Sequence, residues 1–159
     1  MSKKALYDSL VKHIVENQNQ FYRAAYYYVK NREAALDVVQ NAICKGLENY
    51  EKLQSKEAMA SWFYRIVINE SLMYLRKEKK YIAWDESDND LLEGSYEEPA
   101  YEPKLEVISK ISELPTEMQV VIQLHFFEEK TLKEIAEITD TNLNTVKSRL
   151  YAACKKLGK

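Results

Sequence analysis

The feature that most constrains this 159-residue chain is the scarcity of helix breakers among apolar residues at helical spacing. Only three glycines and three prolines occur in the whole sequence. β-sandwiches and barrels need many tight turns, which are built largely from such residues. Leu6, Leu10 and Ile14 recur at every fourth position, the spacing that places side chains on one face of a helix. The sequence therefore predicts an all-α fold.

Charge divides the chain into three parts. Residues 1–81 carry 14 basic and 9 acidic side chains, residues 82–103 carry 8 acidic and no basic ones, and residues 104–159 carry 9 basic and 8 acidic ones. The middle part also holds one glycine and two prolines and shows no helical period. Such a composition is typical of a linker. We therefore expect two small helical domains joined by a flexible acidic linker.

The N-terminal domain has the pattern of a helical bundle. Its segment 57–80 carries two separate apolar stripes, and a helix that is apolar on two sides must be enclosed by other helices. Trp62 and Phe63 lie on the first stripe and are predicted to belong to the core. Tyr64 falls outside that stripe, so we expect its ring to be available for contacts with a ligand.

The C-terminal domain ends in two closely spaced helices. Thr131 and Glu134 fit the capping box that begins a helix, and a second helix follows after a tight turn. Val146 and Leu150 would face the first helix, while amide, hydroxyl and basic side chains would face outward. Such side chains can contact base edges and phosphates, and the spacing is that of a helix-turn-helix. An ordinary helical hairpin with a solvated basic face is the alternative.

Two sets of motifs resemble bacterial sigma factors of the extracytoplasmic function (ECF) group of the sigma-70 family. Segments 132–138 (LKEIAEI) and 141–150 (TNLNTVKSRL) resemble region four, and segments 37–40 (DVVQ) and 61–69 (SWFYRIVIN) resemble region two. The resemblance covers almost the whole chain apart from the linker. It implies a protein that binds core RNA polymerase, recognises the −10 and −35 promoter elements and directs transcription initiation. It also implies an anti-sigma partner.

The resemblance divides the functions among residues 1–81 (region two), 82–103 (linker) and 104–159 (region four). It implies that segment 51–60 captures an unstacked base of the −10 element. Aromatic rings and cations commonly bind single strands, although cations near a helix end can also serve only to solvate it. The residues implied for polymerase binding are Asp37, Val38 and Gln40; for the −10 region, Tyr64, Arg65, Asn69, Arg76 and Lys77; and for the −35 region, Asn142, Asn144, Thr145, Lys147, Ser148, Arg149 and Lys155.

This sequence departs from the family pattern at five positions. Ala34 and Leu36 stand where the polymerase-docking helix commonly has acidic residues, so we expect either weaker affinity for polymerase or docking that depends more on Asp37 and Gln40. Asp140 replaces the usual glycine of the helix-turn-helix turn, and aspartate tolerates left-handed backbone better than most residues. Ala152 and Cys154 stand where arginines are common, which predicts fewer phosphate contacts.

Other features exclude further classes of protein. Two cysteines and two histidines, well separated along the chain, match no zinc-ligand spacing. We find no phosphate-binding glycine loop, nucleophile elbow or other catalytic constellation, and therefore expect neither enzymatic activity nor a cofactor. No apolar stretch approaches the length of a membrane span, and no signal-peptide core follows the N-terminus. We expect a bacterial cytoplasmic protein without stable membrane insertion.

Two other functions are compatible with a helical protein of this kind. A stand-alone helix-turn-helix regulator would bind duplex DNA without polymerase. A helical adaptor would bind only another protein. Transcription by core polymerase distinguishes a sigma factor from both.

Overall fold

In the computed structural model, residues 2–84 and 105–158 are described, and no strand occurs among them. The chain forms two compact units, Met1–Glu98 and Pro99–Lys159. Most of the predicted linker, 82–103, lies outside the described residues. Its first three residues belong to the preceding helix, so the prediction that they lack helical structure is wrong. None of the described helices combines the length and apolar character needed to cross a membrane.

The described part of the N-terminal unit is built from four helices and a short turn. The helices are α1 (Lys3–Glu16), α2 (Gln18–Val29), α3 (Arg32–Glu48) and α4 (Met59–Trp84). One 3₁₀ turn, Tyr50–Lys52, lies between α3 and α4. The all-α prediction is confirmed here, and the long helix α4 packs against both α2 and α3, as its two apolar stripes require.

Close packing of α2, α3 and α4 forms the centre of this unit. The rings of Phe21 and Phe63 are fully buried and meet edge to face, with centroids 4.9 Å apart. Gly46 lies directly against Phe63, since a Cβ atom built on this glycine would stand 2.9 Å from Cε1 of the phenylalanine. Small side chains allow the helices to approach this closely. The buried alanines of the unit are Ala24, Ala25, Ala34, Ala35 and Ala42.

The C-terminal unit is also helical. It contains α5 (Leu105–Ser112), α6 (Thr116–Ile122), α7 (Leu132–Thr139) and α8 (Leu143–Leu157). Helix α6 continues directly into one π-helical turn, Gln123–Phe127. Helix α8 packs against α6 and α7, which together form the platform beneath it.

Local sequence signals fix the helix-turn-helix. The Thr131 hydroxyl accepts a hydrogen bond from the Glu134 N–H (3.1 Å), and the Glu134 carboxylate accepts one from the Thr131 N–H (2.8 Å). The predicted capping box is therefore confirmed. Asp140 adopts the left-handed conformation at the end of α7 (φ 57°, ψ 45°), so the turn is preserved without glycine. Ile135 and Val146 are fully buried and hold the two helices together.

Candidate protein and nucleic-acid interfaces

One face of α3 is polar and exposed although the opposite face is buried. Asp37 and Gln40 both lie on the exposed face, together with Asn41 one turn beyond Asp37. Leu36 lies on the same face and is 52% exposed, so this face also presents one apolar side chain. Val38 is only 2% exposed and belongs to the core. The prediction that Val38 contacts a partner is corrected, because helical spacing turns this residue inward.

Contacts with α4 hold this face of α3 in place. The exposed ammonium end of Lys45 forms an ion pair with the mostly buried carboxylate of Glu70. On α4, the Tyr74 hydroxyl donates a hydrogen bond to Glu78 (3.2 Å). Burial, and then the negative charge of Glu78, raises the pKa of Tyr74 to about 12, with a smaller contribution from Asp37. The Asp37 carboxylate therefore lies within electrostatic range of α4.

The remaining predicted side chains on α4 differ in exposure. Asn69, Arg76 and Lys77 are exposed and Arg65 is half-buried, so all four can be reached from solvent. Tyr64 is 2% exposed and lies edge to face with Phe21 at 6.1 Å. The prediction that Tyr64 lies outside the apolar stripe is wrong, because α2 covers this side of α4. Its ring is not available for stacking in this structure.

A cleft opens between α1 and the end of segment 51–60, which includes the first residues of α4. Its volume is about 340 Å³. One wall belongs to segment 51–60, which was predicted to capture a base, and the other wall belongs to α1. Both walls contribute charged side chains of both signs. The lining residues are Ser9, Lys12, His13, Glu16, Lys56, Glu57, Met59 and Ala60.

The outward face of α8 is a stripe of exposed side chains. Asn144, Ser148 and Lys155 lie along its centre with Lys147 at one edge, and all are exposed. Tyr151, which is 73% exposed, lies in the same stripe. Sequence analysis missed this tyrosine, although its position three residues after Ser148 and four after Lys147 places it on that face. The stripe offers amide, hydroxyl, phenol and ammonium groups to a partner.

Of three other predicted residues in this unit, two have side chains with intramolecular contacts and the third is half-buried. The Asn142 side chain accepts a hydrogen bond from the Thr145 N–H (2.8 Å) and so caps α8. Thr145 is half-buried. Arg149, 28% exposed at its side chain, lies 4.0 Å from the Glu117 carboxylate of α6. These residues flank the stripe rather than forming its centre.

The described residues contain no group of three or more His, Cys, Asp or Glu side chains that could hold a metal ion. Cys44 and Cys154 are both exposed free thiols. The Nδ1–H of His125 donates a hydrogen bond to the Lys130 carbonyl (3.0 Å), which gives this half-buried ring a structural partner.

Comparison with known proteins agrees with this arrangement of two helical units. The family model "Sigma-70 region 2" matches residues 13–81, and the model "Sigma-70, region 4" matches residues 104–157. The chain is 41% identical to the RNA polymerase sigma factor SigV of Bacillus subtilis over 146 residues, which cover 92% of this chain and 87% of that one. It is 28% identical to the ECF RNA polymerase sigma-E factor of Haemophilus influenzae over 132 residues, 74% of this chain and 69% of that one.

A solved structure shares the fold. The sigma factor RpoE of Bartonella quintana, crystallised with the anti-sigma factor NepR, superposes with a TM-score of 0.67 at 19% identity, over 92% of each chain. The chain therefore belongs to the ECF group of the sigma-70 family, and it contains both region 2 and region 4. Proteins of this family are transcription initiation factors that act with RNA polymerase.

Proposed function

We propose that the exposed face of α3 binds core RNA polymerase, that region 2 recognises and opens the −10 element, and that α8 recognises the −35 element. One observation supports this assignment of functions to the two regions. Two helices, α3 and α8, each bury one face in a core and present polar side chains on the other, and each lies within a matched sigma region. Exposed polar groups on an otherwise buried helix are free to bind a partner.

Opening of the −10 element needs protein contacts that offset the loss of base stacking, which is worth a few kcal/mol per base. The cleft beside segment 51–60, with a volume of about 340 Å³, supports such a role, and Lys12 and Lys56 line it together with Glu16 and Glu57. Arg76 and Lys77 on α4 are exposed and can neutralise phosphates of the separated strand. Asn69, exposed on the same helix, supplies an amide for base recognition.

Recognition of the −35 element would place α8 in the major groove. Asn144 and Ser148 lie near the N-terminal end of the exposed stripe, where helix-turn-helix proteins contact base edges. Lys147 and Lys155 can contact phosphates on either side. Tyr151 adds a ring and a hydroxyl between them. Arg149 lies beside this stripe, where its guanidinium is 4.0 Å from the partly exposed Glu117 carboxylate of α6.

The same surfaces are suited to regulation by a protein inhibitor. The Bartonella relative was crystallised with an anti-sigma factor, and we infer that this chain also has one. We further propose that the protein acts in the bacterial cytoplasm, where polymerase and chromosome are located. It acts by binding, without a catalytic site or cofactor of its own.

The polymerase-binding assignment is tested by replacing Asp37 and Gln40 together with alanine. We expect affinity for core polymerase to fall about tenfold, the effect of losing roughly 1.4 kcal/mol of binding free energy. Helical content should stay unchanged because both side chains are exposed. Replacing Asp8 and Gln18, which are exposed on α1 and α2, provides the matched control. Equal affinity of the Asp37/Gln40 variant and the control for polymerase would exclude this face.

A further inference from the structure

The first two turns of α1 have no role in the functions assigned above. Residues 3–12 precede the part of the chain that the region 2 model matches, 13–81. The helix is nevertheless firmly attached, because Leu10 is fully buried and Ile14 nearly so. Ser2 caps its first turn by accepting a hydrogen bond from the Ala5 N–H (3.1 Å). A helix that is fixed to the core in this way can restrict the motion of a segment that packs against it.

The first two turns of α1 contact the 3₁₀ turn Tyr50–Lys52, which overlaps the beginning of segment 51–60. The Tyr7 ring meets the Tyr50 ring edge to face, with centroids 5.1 Å apart and planes at 80°. The Lys3 ammonium lies 3.1 Å from the Glu51 carboxylate. Both charged side chains are largely exposed, so the ion pair contributes little to stability. The aromatic contact, in the preferred edge-to-face geometry, is the stronger of the two.

The second half of α1 faces the end of the same segment. Ser9, Lys12, His13 and Glu16 form one wall of the cleft whose other wall includes Lys56 and Met59. Helix α1 therefore lies beside the segment from the 3₁₀ turn to the start of α4. Among residues 51–58 only Leu53 is buried, so this segment has few other contacts with the core.

We propose that α1 is a positioning element that holds segment 51–60 in the conformation needed to capture a −10 base, with Tyr7 as its principal contact. This inference rests on the proposed role of that segment in base capture. A loop that is free in solution loses conformational entropy when it binds, and this loss weakens recognition. Contacts with α1 restrict the segment beforehand. Tyr7 acts through Tyr50 and need not touch DNA.

The test compares Tyr7→Ala with Lys4→Ala as a matched control. Lys4 is exposed on the same turn of α1 but pairs with Asp8 within the helix (3.4 Å). Holoenzyme is reconstituted from core polymerase and each variant, and then transcribes a pool of promoter duplexes randomised at the −35 and −10 elements. Sequencing of the transcribed templates gives the base preference at every position. Hydrogen exchange of the free variants reports on the amides of residues 51–58.

We expect Tyr7→Ala to reduce base preference in the −10 element about two- to tenfold, the range of an aromatic pair. Preference at −35 and affinity for core polymerase should stay at the wild-type level, and amides of 51–58 should exchange faster. Tyr7→Phe, which keeps the ring, should restore the wild-type profile. Tyr50→Ala removes the same contact from the other side and should match Tyr7→Ala. The Lys4→Ala control should behave as wild type.

Unchanged −10 preference in Tyr7→Ala would overturn the positioning role of α1. Equal losses at −10 and −35, or a loss of polymerase affinity, would also overturn it, since they would indicate general damage to the fold. The underlying function is tested separately by Lys56→Ala, a change within segment 51–60. If this variant keeps the wild-type base preference in the −10 element, the proposal that the segment captures a base is wrong, whatever the result for Tyr7.

Discussion

At the scale of single residues, α8 carries side chains that face outward and side chains that face the other helices of its unit. Asn144, Ser148 and Lys155 lie along the exposed stripe, whereas Arg149 points toward α6 and lies 4.0 Å from Glu117. Ala152, half-buried beside the stripe, offers only a methyl group. The charge available for phosphate contacts on this face is therefore low.

Replacing Ala152 with arginine should increase affinity for a −35 duplex at low salt and steepen the loss of affinity as salt rises. Each phosphate contact changes the logarithmic salt slope by roughly one unit, because binding releases condensed counterions. Fluorescence anisotropy across a salt series measures both quantities, and circular dichroism confirms folding. Ser112→Arg, which adds the same charge at an exposed site on α5, is the control. If Ala152→Arg and the control give the same slope, the stripe on α8 does not meet DNA.

At the scale of helices, the approach of α3 to α4 depends on Gly46. A Cβ atom at this position would stand 2.9 Å from Cε1 and 3.0 Å from Cδ1 of Phe63. The Phe63 ring is fully buried against Phe21, so it has little room to move away. This contact sets the distance between the helix that carries Asp37 and the helix that carries Asn69.

Replacing Gly46 with alanine should lower the free energy of unfolding by about 1–2 kcal/mol. Overpacking of a core commonly destabilises by roughly 1–3 kcal/mol, and the better helix propensity of alanine returns at most about 1 kcal/mol of this. Urea unfolding followed by circular dichroism provides the measurement. Cys44→Ala, at an exposed position on the same helix, is the control and should be nearly neutral. Stability equal to wild type in Gly46→Ala would mean that the two helices can separate without loss.

The elements that sequence analysis predicted well are those determined by neighbouring residues along the chain. The capping box at Thr131 and the left-handed turn at Asp140 are both present, because a cap or turn involves only a few consecutive residues. The burial of Tyr64 was not predicted correctly, whereas that of Val38 follows from helical spacing although this residue was expected to contact a partner. Burial depends on which helix packs alongside, and for Tyr64 that helix is α2, some forty residues earlier in the chain.

The candidate sites also divide into features set by local sequence and features set by contacts between distant elements. Exposure of Asp37, Gln40, Asn144 and Ser148 follows from helical spacing, and all four are exposed. Three features needed the structure: the contact of Arg149 with Glu117, the cleft along α1, and the apposition of Tyr7 and Tyr50. Each joins elements that are distant in sequence. Whether the predicted residues bind polymerase or DNA stays a prediction.

At the scale of the whole molecule, the chain combines two binding units that carry different charge balances. Basic side chains outnumber acidic ones by 14 to 9 in residues 1–81 and by 9 to 8 in residues 104–159, while residues 82–103 are purely acidic in their charged side chains. Linking two weak binding units raises the effective concentration of the second once the first is bound. We therefore expect weak promoter binding by the chain alone and strong binding once polymerase is present.

In vitro transcription with purified core polymerase tests the central claim most directly. Fragments of the source genome are transcribed by core enzyme alone, by core enzyme with the wild-type chain, and by core enzyme with the Asp37→Ala/Gln40→Ala variant. The account predicts discrete start sites with shared −10 and −35 sequences only when the wild-type chain is added, and weaker transcription with the variant. Specific binding of duplex DNA by the chain alone, without any new transcript on addition of core enzyme, would contradict the account.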